Sequence, residues 1–297
     1  TTEILTFIPN SLNKHINIDI RRSNQNSISY IKAAAFSAAF ILQRAFCSSE
    51  DIDPDEITIL EMKKYFFESS SDAVFQITLA DKLQNGSGFV RKLKDEIVNN
   101  QFLSSLFAKQ STNKFIKYLV SDNHANQCKT SCSKCLSVFT NMPFHGLLDW
   151  RLGLSYLRTF LDSNYTAGLD GNFDFFELAN LNNEIINLKK VLIDYIKPGF
   201  ANNDVEIIEY GKNNIHGIHV KTNLRSTKDK IILFTHPLWN IEDDAWDDTI
   251  LLDAYEDIIL NNPDREFHDT PIFWADTFNL SRRPGKVYED LVSSIRV

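Results

Sequence analysis

Three of the four cysteines in the chain, Cys128, Cys132 and Cys135, stand in the spacing C-x3-C-x2-C. Thiolates this close in sequence can converge on one metal ion, and a sulfur-rich tetrahedral site selects zinc or an iron–sulfur cluster. The residues between them include Lys129, Ser131, Ser133 and Lys134, a polar loop suited to coordination rather than to packing. A closed structural site needs a fourth ligand, and three residues compete for the role. His145, ten positions after Cys135, is preferred because it would tie the loop to the amphipathic stretch it opens. His124 is the alternative and extends the series to H-x3-C-x3-C-x2-C. Cys47 closes an apolar helical pattern and reads as a buried hydrophobe. The expected cofactor is structural Zn2+.

Other chemistries leave weaker traces. The C-x3-C-x2-C spacing is shared with radical S-adenosylmethionine enzymes, but Lys134 stands where that group usually has an aromatic residue, and its glycine-rich cofactor contacts are not evident. His219-Val-Lys221 has the H-x-K form of phospholipase-D-like nucleases, which use two such motifs; one is present, and an exposed His and Lys on a strand is the simpler reading. Asp243, Asp244, Asp247 and Asp248 could hold a divalent cation, yet such runs usually start helices. His236, beside Pro237 and Trp239, reads as packed. Arg282 and Arg283 are assigned to pairing with the acidic segment ahead of phosphate contact. No G-x-x-x-x-G-K-[ST] phosphate loop occurs, so ATP hydrolysis by this chain alone is not expected.

The elements that must position these groups follow from periodicity. TEILTFIP and HINIDI read as strands. Ser27 is placed as the N-cap of a helix from Ile28 to about Phe46, whose alanines would admit a close neighbour. The acidic DIDPDE breaks the pattern. AVFQITLA (73–80) reads as a buried strand running into DKLQNGSGF, where Gly86 and Gly88 mark a tight turn that could line an anion site. Helical pattern resumes over 89–99 and 106–120, and HGLLDWRLGLSYLRTF reads as one amphipathic helix. DSNYTAGLDGN (162–172) is a linker candidate. A long helix over 173–196 ends at Pro198 and Gly199. VEIIEY, IHGIHVKT and KIILFTH follow as strands, then an acidic helix near 248–260, a strand PIFWADTFNL and a closing helix over 287–295.

Composition bounds the rest. The 297 residues are 43% hydrophobic and include 22 Phe, enough for a sizeable core. Ala33–Leu42 is too short to cross a bilayer, no secretory signal opens the chain, and the cysteines do not form a disulfide framework; a cytoplasmic setting is expected. The opening Thr-Thr without Met reads as part of a longer protein. The net charge of −8 is uneven, about +1 over residues 1–150 and about −9 over 151–297. The first half is therefore the better nucleic-acid surface, with Arg91, Lys92, Lys94, Lys109, Lys114 and Lys117 as its candidate phosphate contacts.

The stretches TTEILTF, FQITLADKLQNGSGFVRKL, CKTSCSKCL and NMPFHGLLDWRLGLSYL, spanning about residues 1–160, resemble the MrfA zinc-binding (MZB) type domain at the C-terminus of superfamily 2 helicases, as in DISARM DrmB-like and Druantia-like bacterial anti-phage defence proteins and in DNA-repair helicases. The resemblance implies structural zinc and a role in DNA handling by a helicase motor, in cis or in trans. Part of that family places a fourth Cys shortly after the third, which this chain lacks. FTHPLW and DTFNLSRRP resemble the tail that follows the module in some defence proteins.

The expected fold class is α+β: a zinc-stabilised mixed module over residues 1–165, then a smaller acidic α/β extension over 166–297. The expected function is a non-catalytic zinc-binding accessory module supporting DNA binding or assembly of such a helicase in antiviral defence or DNA repair. The alternatives are an interaction scaffold that does not touch DNA, and an iron–sulfur or nuclease enzyme.

Overall fold

The computed structural model of the chain describes residues 3–9, 12–21, 25–68, 72–83, 86–99, 101–108, 111–199, 205–212, 215–222, 229–261 and 272–295. The fold is α+β, and its residues group into two compact units, Thr1–Asn13 with Ile18–Tyr165, and Lys14–Asn17 with Thr166–Val297. No helix among the described residues is long and apolar enough to cross a membrane.

The first unit is built around one long helix and one central strand. Strand β1 (Ile4–Phe7) leads to helix α1 (Gln25–Glu50), a 3-10 turn at Pro54–Glu56, and strands β2 (Ile57–Ile59), β3 (Lys63–Phe66) and β4 (Ala73–Asp81). All pairings are antiparallel and all involve β4, which aligns Ile4 with Ala80, Ile57 with Asp81 and Lys63 with Gln76. Strand β4 is buried along nearly its whole length, as an apolar run flanked by partners should be. Helices α2 (Phe89–Asn99), α3 (Phe102–Leu106), α4 (Lys114–Leu119), α5 (Asp122–Gln127) and α6 (Trp150–Arg158) follow, with a 3-10 segment at Phe139–Phe144.

Helix α1 packs on α6, β4 and α4. Its alanines do what their size allows. A methyl group built on Gly153 of α6 would lie 2.6 Å from Ser37 Cβ and 2.8 and 2.9 Å from the backbone of Ser37 and Ala38. The two helix backbones thus meet where neither carries bulk. The Ser37 hydroxyl accepts from the Asp149 N–H at 2.8 Å, so the start of α6 is fixed to the middle of α1. Tyr156 adds a buried bond from its hydroxyl to Phe75 O on β4 at 3.0 Å.

In the second unit, helix α7 (Leu181–Gly199) precedes strands β5 (Val205–Lys212), β6 (Ile215–Thr222) and β7 (Lys230–Thr235). Helix α8 (Ile250–Asn261), strand β8 (Ile272–Asp276) and helices α9 (Thr277–Arg282) and α10 (Pro284–Ile295) complete it. The sheet order is β5-β6-β7-β8, antiparallel except for the parallel pair β7–β8, in which Thr235 lies opposite Asp276. Trp239 is buried and its indole N–H donates to Ala167 O at 2.8 Å.

Several expected boundaries move, each for a local reason. Helix α1 begins at Gln25, so Ser27 lies inside it rather than capping it. Of the expected helix over 106–120, Leu106 ends α3 and Lys114–Leu119 forms α4, which Asn113 starts by accepting from Ile116 N–H. HGLLDWRLGLSYLRTF is not one helix: the Asp149 carboxylate accepts from Leu152 N–H and opens α6 at Trp150. Helix α7 starts at Leu181 and contains Pro198 and Gly199. PIFWADTFNL divides at Asp276, which ends β8 and caps α9. HINIDI forms no ladder strand; Ile16 makes an isolated bridge with Trp239. The boundary between the two units falls inside the 162–172 linker candidate, between Tyr165 and Thr166, and Tyr165, Ala167 and Leu169 are buried.

Candidate metal centre

The cysteine loop is assembled by a short helix, a turn and a clamp. Helix α5, capped by Ser121, ends at Cys128, whose N–H donates to His124 O at 2.8 Å. One helical turn therefore sets His124 and Cys128 on the same face. Beyond it, the Cys135 and Ser137 N–H groups both donate to Cys132 O at 3.0 Å, folding the chain back on itself. The Cys132 N–H points to Cys135 Sγ at 3.1 Å.

The start of α6 holds this loop from the other side. Trp150 donates its indole N–H to Cys128 O at 3.0 Å, and its backbone N–H to Thr130 O at 2.9 Å. The Arg151 guanidinium reaches Ala125 O at 2.7 Å, Lys129 O at 3.1 Å and Cys128 O at 3.3 Å. It also lies over the Trp150 ring, 4.2 Å from its centroid. Five donors on a rigid fork suit this gathering of carbonyls from one loop.

The outcome is a four-residue group. Ligand atoms of His124, Cys128, Cys132 and Cys135 lie within 4.8 Å of one another and could hold a metal ion; among the described residues no other set of His, Cys, Asp and Glu does so. The Sγ atoms of Cys128 and Cys135 are 3.8 Å apart, and Cys132 Sγ is 3.6 Å from His124 Nε2. His124 Nδ1 faces Leu119 O at 2.8 Å. A carbonyl only accepts, so Nδ1 carries the proton and Nε2 presents its lone pair to the sulfurs. This is the usual outer contact of a metal-bound imidazole. The ring is held by Tyr118 and Trp150, with centroids at 4.9 and 5.5 Å.

The electrostatics favour a thiolate at Cys135. The hydrogen bond from Cys128 holds the Cys135 thiol down to about 5, against the opposing effect of burial and with help from the N–H groups of Cys132 and Leu136. Cys128 is pushed up, chiefly because it donates that bond. On α1, burial lowers the half-buried Arg44, while the field of Cys135, Asp55, Cys47 and Cys132 opposes that shift. A guanidinium thus stands in the field of the sulfur group.

The fourth position goes to His124 and not to the preferred His145. His145 Nε2 is engaged at 2.9 Å with both Val138 O and Asn141 Oδ1, so that nitrogen donates its proton to two oxygens. Cys47 is a buried free cysteine outside the group, its thiol pushed up to about 12 mainly by burial.

The expected phosphate contacts do not form a uniform cationic face. Arg91 pairs with Glu3 and Lys92 with Glu50. Lys94, Lys114 and Lys117 are exposed, and Lys109 lies outside the described residues. The anion site at Gly86 and Gly88 is already filled from within. Both glycines have positive φ, 72° and 79°. The N–H groups that this turn and the start of α2 present, those of Gly88 and Val90, bond the two Asp81 oxygens at 2.8 and 3.0 Å.

Several of the remaining candidates have partners within the chain. His219 is buried, not exposed, and meets Asp229 at 3.1 Å, while Lys221 lies 3.6 Å from Glu206. His236 is buried, its pKa driven down to about 3 by desolvation, and its Nδ1 accepts from Leu238 N–H at 3.2 Å. Asp247 is 3.6 Å from Lys14. Arg282 lies over Phe278, 3.9 Å from the ring centroid, and Arg283 bonds Asn279.

The sequence alone gives Trp150 and Arg151 no role and does not mark Arg44 or Asn141. A Trp–Arg pair at a helix start beyond a cysteine loop is a usable sign for the first two. Nothing local marks the others.

Comparison of the chain with known protein families, with curated proteins and with solved structures finds no match.

Proposed function

We propose that His124, Cys128, Cys132 and Cys135 hold one structural Zn2+, and that the chain is a non-catalytic accessory module supporting DNA handling by a superfamily 2 helicase motor in bacterial defence or repair. The spacing of the ligand atoms carries the first part. A regular tetrahedron around zinc, with Zn–S near 2.3 Å and Zn–N near 2.1 Å, has S···S edges of about 3.8 Å and S···N edges of about 3.6 Å. Of the six separations, all within 4.8 Å, the 3.8 Å between Cys128 and Cys135 and the 3.6 Å between Cys132 and His124 match those edges. In an iron–sulfur cluster the thiolates bind different irons and stand further apart, which weighs against the radical-enzyme reading. Four protein ligands leave no open position for a reactive water, so zinc here would cross-link the loop and do no chemistry. The helicase and DNA assignment rests on the resemblance of residues 1–160, and free thiols at all four cysteines fit a cytoplasmic setting.

A second reading, an interaction scaffold that never meets DNA, gains support from the engagement of Arg91 and Lys92 with Glu3 and Glu50. Two measurements test these readings. Elemental analysis should find about one zinc per chain, lost in Cys132→Ser; iron with acid-labile sulfide would replace the zinc reading. A gel shift at low salt should detect DNA binding that Lys114→Glu with Lys117→Glu weakens. No shift for the parent protein would favour the scaffold.

A further inference from the structure

The segment that follows the cysteines carries an exposed ring on a rigid mount. Phe139 is 85% exposed and Met142 53%. A single exposed aromatic is unremarkable in itself; its support is not. The Asn141 side chain, 2% exposed, donates to Leu136 O at 2.8 Å and accepts from Val138 N–H at 2.9 Å. His145 donates to Val138 O and Asn141 Oδ1, both at 2.9 Å. The residues flanking Phe139 are therefore pinned by a partly buried polar network. Ser137 Oγ lies 2.9 Å from Ser131 Oγ, tying the turn to the cysteine loop.

Charge indicates the occupant. In an acidic chain with 39 carboxylates, residues 123–148 contain none, and their only formal charges are Lys129 and Lys134. Both lysines are exposed on the cysteine loop. An exposed aromatic face on a carboxylate-free stretch that also carries two exposed lysines suits an unpaired base stacked on the ring, with its backbone neutralised by the lysines. A duplex offers no free base face.

We infer that the cysteine loop and its following turn form a binding site for single-stranded nucleic acid, with Phe139 as the stacking platform and Lys129 and Lys134 as phosphate contacts. This deepens the DNA-handling reading and rests on it.

The test is fluorescence anisotropy with a short labelled oligothymidylate and a labelled duplex of the same length, across a salt series. Phe139→Ala should weaken strand binding about tenfold, leave duplex binding and zinc content as in the parent protein, and be rescued by Phe139→Trp. Lys129→Gln with Lys134→Gln should reduce the salt slope for the strand by about 1.4. Unchanged strand affinity in Phe139→Ala overturns the inference and marks the ring as a protein contact or an idle residue. Parent protein that binds duplex but no strand also overturns it while leaving DNA handling intact. Parent protein that binds neither removes both readings.

Discussion

Two loops of the first unit advertise themselves as ligand sites, and only one has atoms to spare. The DKLQNGSGF turn has two positive-φ glycines ahead of a helix start, a setting that elsewhere cradles anions. Here the Asp81 carboxylate takes the N–H groups of Gly88 and Val90. The cysteine loop is the reverse. Its backbone is satisfied by Trp150, Arg151 and its own turns, and what it leaves over is three sulfurs and one imidazole nitrogen facing each other. A ligand motif becomes a ligand site when the fold does not already answer its polar groups.

Perturbing each loop should separate them. The largest effect is expected from metal removal. Cys132→Ser, or a strong chelator added to the parent protein, should lower the melting temperature by an amount corresponding to about 4 kcal/mol where free zinc exceeds Kd a thousandfold; an unchanged melting curve would make the cysteine loop as self-sufficient as the glycine turn. Gly153→Ala comes next, with a loss of about 3 kcal/mol by denaturant titration, since the added methyl meets the backbone of Ser37 and Ala38 at under 3 Å. It tests whether α6, which clamps the cysteine loop, depends on its contact with α1. Asp81→Ala should cost about 1–2 kcal/mol and leave zinc content unchanged. If that variant instead gained affinity for inorganic phosphate with no loss of stability, the carboxylate would be a plug and not a cap.

Much of this was legible in the sequence, and the misreadings have physical causes. Cys128, Cys132 and Cys135 announce themselves because thiols so close in a polar loop have little other use. His145 opens an amphipathic pattern, but its Nε2 is spent on Val138 O and Asn141 Oδ1, and local helix geometry favours His124. His124 stands one helical turn before Cys128, and the Ser121 cap that builds that turn is visible in the sequence. Asp149 and Asn113 are cap residues hidden inside apolar periodicity, so periodicity alone extends the helices they begin too far. The fate of the Gly86–Gly88 turn was not readable, because it depends on a carboxylate at the end of β4 folding back onto the next helix. The pairing of Arg91 with Glu3 and of Lys92 with Glu50 spans distant parts of the chain, and helical spacing alone presents those cations as free.

The most direct test compares the two histidines. Metal content would be measured in purified parent protein, His124→Ala and His145→Ala. We predict about one zinc per chain in the parent protein and in His145→Ala, and a loss of most of it in His124→Ala. A parent protein without zinc, or zinc retained by His124→Ala and lost from His145→Ala, would contradict the assignment of the metal centre.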